Sequence, residues 1–151
     1  MIERTFTKEQ LENFKRHKYV SCGYSKLEQI LEGFWDQIVK HMPSYISPNM
    51  CSFFGLFMSV SPVLLMMTYD QSFTQDLPRE VYLLAALCIF VAQTMDNVDG
   101  KLARKTGRTS PLGQIVDHGL DSISDQIQGV AALYALKLGS LTPLYFLLTV
   151  T

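Results

Sequence analysis

The placement of charge constrains this chain more than any other feature. No Asp, Glu, Lys or Arg occurs over residues 41–69, 81–95, 126–136 or 138–151, so uncharged stretches of 29, 15, 11 and 14 residues alternate with polar ones. Stretches of that length and apolarity predict a helical membrane protein. Composition agrees: 18% of residues are charged and 48% hydrophobic, against about 25% charged in typical soluble domains. A net charge of −1 excludes a basic nucleic-acid binder. Cys22, Cys51 and Cys88 are too few and too scattered for a disulfide framework or a zinc site. The first thirty residues lack the apolar core of a secretory signal.

Residues 1–46 read as a polar cytoplasmic arm, and 47–151 as a partial transmembrane domain. Within the arm, Leu27, Ile30, Leu31, Phe34, Trp35, Ile38, Val39 and Met42 recur at helical spacing, with Lys26, Glu28, Glu32, Asp36 and Lys40 mostly off that stripe. The stripe suits packing on a soluble core or, better in this chain, a helix lying in the membrane interface and anchored by Phe34 and Trp35. Ser47-Pro48 supplies an N-cap and a first-turn proline, opening a span over 49–69 that Pro62 is expected to kink. Residues 70–80 form a polar turn, and a second span begins at Val81 and continues through Asp96 and Asp99. Lys101 to Leu112 is expected as a loop, a third span runs over about 118–137, and a fourth begins near Leu141. Seven Lys/Arg in the first fifty residues and four in 101–112, against one each in 70–80 and 137–140, place the arm and the 101–112 loop in the cytoplasm. The expected fold is all-α, a polytopic transmembrane helical bundle with an N-terminal amphipathic interfacial helix, truncated after about three spans.

The chemistry concentrates in two acidic pairs. Asp96 and Asp99 are three residues apart and Asp117 and Asp121 four apart, so each pair shares a helix face. Both pairs fall at the same membrane edge on consecutive helices, where they can face each other. Four carboxylates gathered there repel and resist desolvation unless a cation neutralises them. Oxygen-only ligands suit Mg²⁺ or Mn²⁺ rather than zinc, and two such ions could clamp a diphosphate. Arg104 offers a fixed positive charge to phosphate oxygens, and Gly100 and Gly113 allow a ligand close to the backbone. The plain alternative is a set of solvated helix ends paired with Lys101, Lys105 and Arg108.

The run from Asp96 to Asp121 has the pattern D-x2-D-G-x2-A-R-x8-G-x3-D-x3-D with every fixed position present. By this pattern the chain resembles the CDP-alcohol phosphotransferase family. Phe34-Trp35, Pro43, Ser47-Pro48-Asn49, Gly55-Leu56, Ser110-Pro111-Leu112-Gly113 and Asp117-His118-Gly119-Leu120-Asp121-Ser122 are similar to its eukaryotic ethanolamine and choline branch. The resemblance implies that Asp96, Asp99, Asp117 and Asp121 hold two divalent ions and that Asn49 and Arg104 contact the CDP moiety. It implies transfer of phosphoethanolamine from CDP-ethanolamine to diacylglycerol, giving phosphatidylethanolamine and CMP, with CDP-choline the alternative donor. Leu120, where choline enzymes carry Cys, leans toward ethanolamine. Either Asp121 or His118 takes the acceptor's proton; His118 is favoured, because an ion-bound carboxylate is a weak base while His titrates near neutrality. The resemblance also implies a multi-pass protein of the endoplasmic reticulum or Golgi membrane, with membrane lipid as neighbour and a homodimer as an open assembly.

Some positions depart from the pattern of the relatives. Gln114 stands where Glu is usual at the substrate, Leu102 and Lys105 replace more polar or Arg residues, and Asp125 adds a turn to the Asp117–Asp121 ladder, as a substrate contact or, better, an accessory charge near a water-filled cavity. The relatives continue through further spans enclosing the lipid acceptor, so a fragment or truncated form is expected. A catalytically inactive short form acting as a membrane binding partner is the alternative of another class.

Overall fold

The structure, a computed structural model, describes residues 26–150 together with Thr7, Glu9, Gln10, Glu12 and Asn13. Cys22 and much of the expected arm lie outside the described residues. Regular structure among the described residues is entirely helical: α1 (Lys26–His41), α2 (Pro48–Tyr69), α3 (Arg79–Thr106), α4 (Pro111–Ala135), a 3₁₀ turn (Gly139–Leu141) and α5 (Thr142–Val150).

Helix α2 begins where Ser47-Pro48 requires. Ser47 is extended (φ −79°, ψ 141°) and Pro48 takes the first turn, although the Ser47 hydroxyl makes no capping bond. The helix continues unbroken through buried Pro62. Among the described residues two helices, α2 and α3, are long and apolar enough to cross a membrane. Helix α4 matches them in length at 25 residues, but Asp117, Asp121 and Asp125 punctuate it as far as its middle. The expected third span therefore is free of charge only beyond Asp125.

Two boundaries differ from expectation. Lys101 to Thr106 is helix rather than loop, and the turn shrinks to 107–110. Leu102 is fully buried, which contributes about 2 kcal/mol toward continuing the helix. The stop is Gly107, left-handed at φ 64°, whose N–H bonds back to Ala103 and Arg104 carbonyls; glycine adopts that conformation without a Cβ penalty. Helix α4 then starts at Pro111 rather than near 118, because the Ser110 hydroxyl caps it by accepting from the Gly113 N–H at 2.9 Å.

Both α3 and α4 pack along α2 while touching each other little, so a gap is left between them. Apolar clusters close the two ends. At one end Met66, Leu77, Val81, Ala85 and Tyr134 are buried together, and the Tyr134 hydroxyl donates to the Met66 carbonyl at 3.1 Å. The turn there is organised by Asp70, whose carboxylate accepts from the Ser72 N–H and hydroxyl and from the Thr74 and Gln75 N–H groups.

At the other end α1 docks on α3 through Trp35, Val39 and Val98. Trp35 is only 8% exposed. It is therefore a packing residue rather than the interfacial anchor expected of it, and the exposed apolar side of α1 is carried by Leu27, Ile30 and Phe34. Polar contacts reinforce the docking. Lys101 pairs with Asp36 at 2.6 Å and Glu32 at 3.5 Å, and the Lys105 ammonium donates to the Val39, Lys40 and Met42 carbonyls. A cation at a helix C-terminus satisfies carbonyls that have no partner within the helix.

Candidate active site

The carboxylates expected to converge do so, in two facing pairs. Asp96 and Asp121 come within hydrogen-bonding reach of each other across the α3–α4 gap, and Asp99 faces Asp117 in the same way. Helix α2 backs both. The buried Ser52 hydroxyl donates to Asp99 Oδ2 at 2.5 Å and lies 3.4 Å from Asp117 Oδ1, so a single side chain touches carboxylates from two other helices. His118 is exposed beside the cluster, its Nδ1 3.8 Å from Asp121 Oδ2. One ligand atom each from Asp117, His118 and Asp121 fall within 4.8 Å of one another.

The cations that could have made this an ordinary salt-bridged surface are engaged elsewhere. Lys101 and Lys105 bind α1, and Arg108 donates to the Ile46 carbonyl at 3.5 Å. Facing carboxylates within bonding reach need a proton or a cation between them. The donor set is oxygen-rich and drawn from helices held at fixed separation, and these features fit hard divalent ions. This acidic group could hold such a metal.

The remaining expected residues divide into two places. Asn49, exposed on the first turn of α2, puts its Oδ1 3.8 Å from where a Cβ on Gly113 would stand. The N-termini of α2 and α4 thus meet at these two residues, with Gln114 half-buried beside them. Arg104 is not drawn into the acidic cluster. It folds over Gly100, where a Cβ would lie 3.6 Å from Arg104 Nη1, and borders a separate open cleft between α1 and α3 with Glu32, Asp36, Lys101 and Lys105. Cys51 and Cys88 are free thiols.

Ser52 escaped the sequence reading, as did a polar chain behind the acids. Gln93 Nε2 donates to Gln128 Oε1 at 2.9 Å, and Gln128 Nε2 donates to Ser59 Oγ at 3.0 Å. These residues line a cavity of about 260 Å³ that also receives Ser52, Gly55, Asp96, Asp121, Ser124 and Asp125. A signal was available: Ser52, Gly55 and Ser59 interrupt an apolar span at spacings of three and four, one helical face.

Comparison with known proteins gives the site its context. A family model described as CDP-alcohol phosphatidyltransferase matches residues 45–151. The chain is 36% identical over 140 residues to cholinephosphotransferase 1 of Xenopus laevis, covering 93% of this chain and 35% of that protein. It is 36% identical over 137 residues to the Homo sapiens cholinephosphotransferase 1, covering 91% and 34%. To ethanolaminephosphotransferase 1 of Pongo abelii it is 38% identical over 123 residues, covering 77% and 31%. The chain thus spans about a third of the length of the curated relatives it matches.

Proposed function

Because this chain belongs to the CDP-alcohol phosphatidyltransferase family, we propose that it acts in an integral-membrane phosphotransferase that moves phosphoethanolamine from CDP-ethanolamine to diacylglycerol. The observation that carries this reading is the meeting of Asp96 with Asp121 and of Asp99 with Asp117, backed by Ser52. Mg²⁺ or Mn²⁺ held by these four residues would offset the negative charge of the donor's diphosphate. Asn49, Gly113 and Gln114, together at the α2 and α4 N-termini, suit the cytidine and phosphate side of the donor, and helix N-termini favour anions. Gly100 leaves backbone room there, and Arg104 offers a guanidinium to phosphate oxygens from the α1 side.

His118 is the proposed base. It is exposed and adjacent to Asp121, so it can take the proton of the acceptor hydroxyl while Asp121 stays in the ligand set. The acceptor oxygen forms a bond to the β-phosphorus as the bond to the bridging oxygen breaks. CMP departs with that bridging oxygen, and phosphatidylethanolamine remains in the membrane. Charge asymmetry favours α1 and the 107–110 turn on the cytoplasmic side of an endoplasmic reticulum or Golgi membrane, where a soluble nucleotide is available. On this reading residues 1–46 are a cytoplasmic arm, with α1 at the interface, and 47–151 belong to the transmembrane domain.

Ethanolamine is the preferred head group on the strength of Leu120, and the cholinephosphotransferase relatives keep choline as the second reading. Both are tested in microsomes given diacylglycerol, Mn²⁺ or Mg²⁺, and either labelled CDP-ethanolamine or labelled CDP-choline. Label is expected in lipid, more from the ethanolamine donor, and Asp117→Asn should lower it at least a hundredfold. Metal-dependent CDP binding without labelled lipid would overturn the transferase reading.

A further inference from the structure

Three helices carry a polar stripe inward from the acidic cluster. On α2 it is Ser52, Gly55 and Ser59; on α3, Asp96 and Gln93; on α4, Asp121, Ser124, Asp125 and Gln128. From Ser52 to Ser59 is seven residues, or about 10 Å along the helix. The stripe therefore runs roughly two turns along α2, an uncharged helix long and apolar enough to cross a membrane. Polar side chains at that depth are costly unless something polar meets them.

Part of that need is met by the Gln93–Gln128–Ser59 chain, and part is left over. Ser59 is fully buried. Its neighbour Ser61 donates back to the Phe57 carbonyl, the usual course for a helical serine, whereas Ser59 accepts from Gln128. Its hydroxyl proton, and the second amide hydrogens of Gln93 and Gln128, remain available to the cavity. Turning both amides over keeps the chain and still leaves hydrogens to spare. Those donors are neutral, and Asp96, Asp121 and Asp125 border the same space, so an anion is disfavoured. A neutral group rich in acceptor oxygens fits both conditions.

Resting on the transferase reading above, we propose that this cavity seats the glycerol ester region of the acylglycerol acceptor, with Gln128, Gln93 and Ser59 donating to its ester carbonyls. Size agrees: about 260 Å³ equals about nine waters at 30 Å³ each, room for a glyceryl unit with its ester groups. Position agrees as well, because Asp121 lines the same cavity, two turns along α4 from Gln128. Gln128 thereby becomes a residue that distinguishes ester from ether acceptors.

The test uses the protein in vesicles, with Gln128→Leu and Gln128→Asn compared with the parent. Gln128→Leu should raise the acceptor KM for diacylglycerol about five- to tenfold, the loss expected for one neutral hydrogen bond. The KM for the CDP-alcohol should stay unchanged, and the preference for diacyl over dialkyl glycerol should vanish. Gln128→Asn, which keeps the donor, should recover part of that preference. Crosslinking of a photoactivatable diacylglycerol, with Mn²⁺ and no CDP-alcohol, gives a second readout independent of turnover. Crosslinks near Gln128 that disappear in Gln128→Leu support the site even if no transfer is detected, which would fault the transferase reading alone. Efficient transfer with an unchanged acceptor KM and crosslinking in Gln128→Leu would overturn this proposal and leave that reading standing. Crosslinking unaltered in both variants, with water or added Mn²⁺ filling the cavity instead, would likewise overturn it.

Discussion

Ser52→Ala is the most informative single change at the acidic site. A hydroxyl has one proton, and three acceptors surround this one: Asp99 Oδ2 at 2.5 Å, Asp117 Oδ1 at 3.4 Å and the Pro48 carbonyl at 3.4 Å. Distance assigns the proton to Asp99. A buried hydrogen bond to an ionised partner contributes about 1.5–3 kcal/mol, and its loss frees Asp99 to leave the geometry that faces Asp117. At about 1.4 kcal/mol per decade, divalent-ion affinity should fall about ten- to a hundredfold. Outer partners of metal ligands show losses of about the same size when removed. Deleting one oxygen leaves little empty volume, so folding should suffer far less than ion binding. The assay is an Mn²⁺ titration of the detergent-solubilised protein, with free Mn²⁺ followed by paramagnetic resonance and no nucleotide present. Ser52→Thr, which keeps the hydroxyl, should bind close to the parent. An unchanged Mn²⁺ dissociation constant in folded Ser52→Ala, or an equal loss in Ser52→Thr, would refute the argument.

Other expectations concern the ends of the bundle. Trp35 is the sole tryptophan, so its emission reports whether α1 is docked. Val98→Asp, which places a charge against it, should shift that emission to the red, whereas Lys101→Ala should barely move it, since a partly exposed ion pair contributes no more than about 1 kcal/mol. The Asp70 carboxyl is held well below the usual carboxylate range by the Ser72 hydroxyl and the Gln75, Ser72 and Thr74 N–H groups, against an opposing contribution from burial. A depressed value of this kind stabilises fully above the ordinary Asp range, about 3.9, and the stabilisation is lost as pH falls through the lowered one. Proteolysis within 71–76 should therefore stay slow from neutrality down to pH 4 and rise only in stronger acid, while Asp70→Asn should be cut readily at pH 7. Equal cleavage of the two proteins at pH 7 would contradict that assignment.

Local signals were legible in the sequence wherever one residue decides. Ser47-Pro48 placed the start of α2 and the spacing of the aspartates placed them on common faces, because caps and helical periodicity act within one element. The loop expected over Lys101 to Leu112 failed in its first half, because the breakers that suggested it, Gly107, Ser110 and Pro111, all lie in its second half. In the structure Lys101 and Lys105 face α1, and Leu102 is buried beneath them. Trp35 failed because an apolar stripe fits lipid and a helix partner equally well, and only the position of α3 decides between them. Ser52, Ser59, Gln93 and Gln128 matter through contacts between helices, and no single stripe announces those pairings.

The unbroken course of α3 through its aspartates has a consequence for the surrounding lipid. From Arg79, Asp96 lies about 26 Å and Asp99 about 30 Å along the rod at 1.5 Å per residue. The hydrocarbon layer is about 30 Å deep, so if α3 crosses it as proposed, with Arg79 and Glu80 at one face, the carboxylates would emerge at the opposite one. A thicker bilayer would draw Asp96 below the waterline, and a thinner one would lift both clear of the acyl chains. On the proposed reading, acyl-chain length would be a physical control over how readily water and its solutes reach these carboxylates.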